Sequence, residues 1–80
     1  MPLAFVLVNV EIGSEREVLE ALKKIDEVEE AYVVYGVYDI VARVKAESMD
    51  ELRETVMYKI RRLDKVQSTQ TMMVYEEAPS

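Results

Sequence analysis

The sequence predicts an α+β domain whose elements run β-α-β-β-α-β. Two observations predict it. Apolar residues switch between strand-like and helix-like periods along the chain, and the second half echoes the first at a constant offset of 34. In that echo Val10, Ser14, Glu17, Val18 and Leu22 recur as Val44, Ser48, Glu51, Leu52 and Val56, so strand, cap and helical stripe repeat in register. Right-handed crossovers fold two such units into a ferredoxin-like sandwich, with both helices on one face of an antiparallel sheet.

The first element is the apolar run Leu3 to Val10, with both alternating sets largely apolar, as in a strand covered on two faces. It is far shorter than the ~20 residues a membrane-spanning helix needs, and no basic segment precedes it as in a secretion signal. Gly13 ends the run. Ser14-Glu15-Arg16-Glu17 has the spacing of a capping box, and Val18, Ala21, Leu22 and Ile25 then lie on one helical face. Val28 to Tyr35 and Asp39 to Lys45 turn β-branched and aromatic, and their short connection predicts a hairpin. A second box, Ser48-Met49-Asp50-Glu51, opens a helix with Leu52, Val56, Ile60 and Leu63 in one stripe. Val66 to Tyr75 forms the last strand, and a charged tail follows. The expected domain is 1–76, with 77–80 as tail.

Composition narrows the function. Eighty residues make one domain with a small core, so burial in an oligomer adds to its stability. Sixteen acidic residues against ten Lys and Arg give −6, which opposes direct binding to a nucleic-acid backbone. With no cysteine and no histidine, the chain lacks thiolate chemistry, the commonest metal ligand and the usual acid/base of neutral pH. No metal, no cofactor, no membrane contact and a cytoplasmic location are expected. One helical layer leaves one parity of the first strand uncovered, either Leu3, Phe5 and Leu7 or Ala4, Val6, Val8 and Val10. A sheet-to-sheet homodimer about a twofold axis is the economical cover.

Chemistry concentrates at Gly36-Val37-Tyr38-Asp39. Gly36 can open backbone amides to a carboxylate, Tyr38 can wall a pocket, and Asp39 can accept an ammonium group. Ordinary turn chemistry also explains a glycine and an aspartate there. On the last strand Thr69 and Thr71 share one face and Ser68 and Gln70 the other, which suits a hydroxyl-lined site or a plain edge strand.

The strings Tyr35-Gly36-Val37-Tyr38-Asp39-Ile40-Val41 and Val66-Gln67-Ser68-Thr69-Gln70-Thr71-Met72-Met73-Val74 resemble the RAM domain of the Lrp/AsnC, or feast/famine, regulators. The likeness covers nearly the whole chain. It implies an amino-acid sensor that dimerises through its sheets in the manner of dimeric α+β barrels. It also implies dimers that join into rings or octamer-like particles, with effector bound between dimers. The family's ligand-binding positions map onto Gly36, Tyr38, Asp39, Thr69 and Thr71. Full-length members carry a DNA-binding domain ahead of this one, whereas this sequence starts at the first RAM strand. A stand-alone module that co-assembles with full-length Lrp/AsnC regulators is therefore expected. Two other readings stand beside it: a structural oligomerisation module without a ligand, and a small dimeric α+β barrel enzyme relying on Tyr or carboxylates.

Overall fold

Alternation in the first strand decides which side of the sheet the helices cover. In the computed structural model, which describes residues 1–79, β1 (Leu3–Val10) buries Ala4, Val6, Val8 and Val10 almost completely, while Phe5, Leu7 and Asn9 stay half-buried. The even set therefore faces the helices, and Phe5 and Leu7 of the odd set lie on the open face, while Leu3 at the start of the strand is buried. β3 (Ile40–Lys45) repeats the pattern, burying Ile40, Ala42 and Val44 and leaving Val41, Arg43 and Lys45 partly exposed. β2 (Val28–Val33) and β4 (Val66–Met73) complete a sheet of order β2-β3-β1-β4, antiparallel throughout, which is the predicted ferredoxin-like arrangement.

Helix α1 (Glu15–Lys23) buries Val18 and Leu22 against the sheet. Its predicted capping box does not form. Ser14 has φ −103° and ψ 11°, and its side chain caps nothing; the turn is closed by backbone bonds, Ser14 N to Glu11 O at 2.9 Å and Val18 N to Ser14 O at 3.0 Å. The serine half of the second box forms at α2 (Met49–Glu54), and its glutamate bonds one residue further back than the box predicts. Ser48 is extended, its Oγ accepts from Glu51 N at 3.1 Å, and Glu51 reaches back to Glu47 N at 2.6 Å.

After Glu54 the helix widens into a π-helical segment, Thr55–Ile60, closed by Arg61 N donating to Val56 O at 2.9 Å. Thr55 is buried, and its hydroxyl donates to Glu51 O at 2.8 Å, so it brings its own partner into the core. Leu52, Val56 and Ile60 still point inward as the stripe predicts. Val74 N donates to Leu3 O, extending the β4 ladder by one residue, and no regular element follows among the described residues. The last residue of the expected tail, 80, lies outside the described residues. Among those residues no helix is long and apolar enough to cross a membrane.

Candidate functional site

The hairpin between β2 and β3 is closed at its base by Val34 N donating to Asp39 O at 2.9 Å. Gly36 has φ +147°, a conformation that side chains disfavour, and a Cβ placed there meets nothing within 4 Å. The glycine is therefore demanded by the backbone path and not by crowding. Tyr35 and Val37 stand fully in solvent on either side of it, and Tyr38 is half-buried.

Asp39 does something the sequence did not announce. Its N–H donates to Val8 O at 3.0 Å, and its Oδ2 accepts from Val10 N at 2.9 Å. Pairing of β1 with β3 ends at Val8 and Ile40, so Val10 N has no strand partner on that side. The carboxylate supplies one, as a buried backbone donor requires. Only a contact 29 residues away in sequence reveals this, and no local pattern marks it. Among the described residues Oδ1 has no partner within the chain.

The two threonines sit apart from the hairpin. Thr69 pairs with Val8 on one side of β1 while Ile40 pairs with Val8 on the other, so hairpin base and Thr69 lie two strand spacings apart, roughly 10 Å. Both threonines are on the helix side of β4. Thr71 lines an apolar cavity of about 270 Å³ with Leu52, Val56, Met57 and Met73. Thr69 lines a polar one of about 260 Å³ with Arg61, Gln67 and Ser68. Neither cavity includes Gly36, Tyr38 or Asp39. One chain thus carries both halves of the predicted site without joining them.

Elsewhere, Glu27 and Lys59 tie the start of β2 to the π segment at 3.0 Å. The hydrogen bond from Lys59 holds the Glu27 carboxyl below its ordinary range, against a smaller opposing effect of burial, and the same bond raises Lys59. Among the described residues no group of three His, Cys, Asp or Glu is placed to hold a metal ion.

The family model described as the Lrp/AsnC ligand binding domain matches residues 3–79. The chain belongs to the Lrp/AsnC ligand-binding family. Regulatory protein AsnC of Escherichia coli is 40% identical over 58 residues, covering 72% of this chain and 38% of AsnC. The solved AsnC structure superposes with a TM-score of 0.92 at 30% identity, over 99% of this chain and 54% of that one. A crystal structure from Thermus thermophilus matches along the full length of both chains, with a TM-score of 0.94 and 32% identity. An Lrp/AsnC-like fold also occurs in a transcriptional regulator of Neisseria meningitidis solved as an L-Met complex, with a TM-score of 0.87 at 21% identity over 99% of this chain and 53% of that one. This chain spans about half the length of the curated relatives it matches, and those relatives are transcriptional regulators.

Proposed function

We propose that this chain is an amino-acid-sensing, self-assembling module of Lrp/AsnC regulation. The observation that carries the proposal is the hairpin. A glycine-dependent loop ends at a carboxylate whose Oδ2 accepts from Val10 N and whose Oδ1 has no hydrogen-bond partner among the described residues. Amides near Gly36 suit an α-carboxylate, Oδ1 of Asp39 suits an α-ammonium, and Tyr38 walls the space between. The Thr69 and Thr71 hydroxyls are too distant within one chain, so they reach the ligand from another subunit. The Neisseria fold relative bound to L-Met is consistent with this chemistry.

A site made of two subunits binds only where they meet, so ligand shifts the assembly equilibrium. Homodimers built through the open sheet face would join into octamer-like particles, and full-length Lrp/AsnC regulators could enter the same contacts. The test is calorimetry against the twenty amino acids, paired with light scattering. At least one amino acid is expected to bind below millimolar concentration and to change the mass. Absence of both effects would leave the structural-module reading, in which the exposed Tyr35 and Val37 contact another subunit and no small molecule binds.

A further inference from the structure

A methionine-rich cleft lies between the second helix and β4, away from the hairpin. Leu52 and Val56, both buried, form its base, and Met49, Met57 and Met73 stand half-exposed around it. Three of the chain's five methionines are gathered there. Flexible thioether side chains make walls that adapt to the shape of a bound molecule. The π-helical segment Thr55–Ile60 supplies Val56 and Met57, and widened turns of this kind recur at functional sites.

The polar groups at the cleft are of one kind. Arg53 brings a cation and Thr71 a hydroxyl, and among the described residues no carboxylate lines it. Asp50 holds the Arg53 guanidinium at 2.6 Å, but both side chains are largely in solvent, so the pair is weak and open to exchange. An ammonium group therefore finds no partner in this cleft, whereas a carboxylate can dock on the planar fork of Arg53. An apolar cavity of about 150 Å³ takes up benzene, so one of about 270 Å³ has room for a chain of roughly six carbons with its head group.

We propose that this cleft binds a medium-chain aliphatic monocarboxylate, its chain lying against Leu52, Val56 and the methionines and its head group on Arg53 and Thr71. The cleft is complete within one chain, unlike the divided site of hairpin and threonines. Thr71 is the one residue the two sites share, so the variants that test the cleft are made elsewhere. Binding here does not depend on amino-acid binding at the hairpin, because the cleft contains neither Gly36, Tyr38 nor Asp39.

Methionine methyl NMR, recorded with no amino acid present, reads the cleft directly, since Met1 and Met72 lie outside it and serve as controls. Hexanoate is expected to shift the Met49, Met57 and Met73 methyls saturably at about 10 mM or less, a range suited to so small a ligand. The Met1 and Met72 methyls should move at least threefold less. Hexylamine and hexanol, with the same chain and no carboxylate, are expected to bind at least tenfold more weakly. Arg53→Gln, at an exposed position, should weaken hexanoate at least tenfold at unchanged circular dichroism. Equal binding of hexanol or hexylamine would make the cleft a plain apolar surface for a protein partner and overturn the proposal. Unchanged hexanoate affinity in Arg53→Gln, or shifts spread evenly over all five methionines, would overturn it as well.

Discussion

The two faces of the sheet are built from alternate residues of the same strands yet do different work. On the helix face Ala4, Val6, Val8, Ile40, Ala42 and Val44 are fully buried by α1 and α2. On the open face Phe5, Leu7 and Val41 are apolar but only half-covered, bordered by Arg43, Lys45 and the exposed Tyr32. The first face holds the chain's own fold. The second leaves apolar surface partly open to solvent, and a substitution's parity should determine which property it changes.

The strongest break is on the helix face. Leu22 is fully buried, and truncation there removes transfer energy and leaves a cavity. Leu22→Ala is expected to cost about 2–5 kcal/mol in urea unfolding extrapolated to zero protein association. A loss below about 1 kcal/mol would mean that the helical layer is not the stabilising one. Leu7→Lys tests the open face. It is expected to weaken self-association at least tenfold in light scattering, while the secondary structure stays unchanged. A chain that unfolds, or keeps its wild-type mass, would erase the distinction between the faces.

Much of this contrast was legible in the sequence, but not its direction. Element order, the hairpin and the stripe Leu52, Val56 and Ile60 followed from periodicity, because burial imposes period 2 on strands and 3.6 on helices. Which parity of β1 faces the helices did not, since both sets are apolar. Packing settles it, with the smaller Ala4, Val6 and Val8 lying under the helices and the bulkier Phe5 and Leu7 opposite. The twin capping boxes show the same limit. Identical spacing at Ser14 and Ser48 gives one cap only, because Ser48 alone has the extended backbone that swings Oγ over the N–H of the residue three positions on. The candidate site was legible as residue types, while its division between hairpin and β4 needed the strand order.

Asp39 sharpens the comparison where β1 leaves β3. Asp39→Ala deprives Val10 N of its acceptor and should cost about 1 kcal/mol by thermal or urea unfolding. Asp39→Asn keeps an oxygen acceptor and should recover most of that stability. If Asp39 also holds an ammonium group, Asn will restore stability without restoring amino-acid affinity. Equal ligand affinity in wild type and Asp39→Asn would confine Asp39 to its bond with Val10.

The smallest effect belongs to the Glu27–Lys59 pair, which stands outside both faces and joins β2 to the π segment. Lys59 holds the Glu27 carboxyl below its ordinary range in the folded chain. A depressed carboxyl pKa adds stability above the unfolded-state value, near 4.3 for a free glutamate, and loses it as pH falls through the folded value. The contribution should therefore be complete at neutral pH and fade below about pH 4. Half of the Lys59 side chain is in solvent, which screens the pair and keeps the effect small. Glu27→Gln should lower stability slightly at pH 7 and converge on wild type near pH 3. A difference that persists unchanged to pH 3 would show that Glu27 acts through packing and not through its charge.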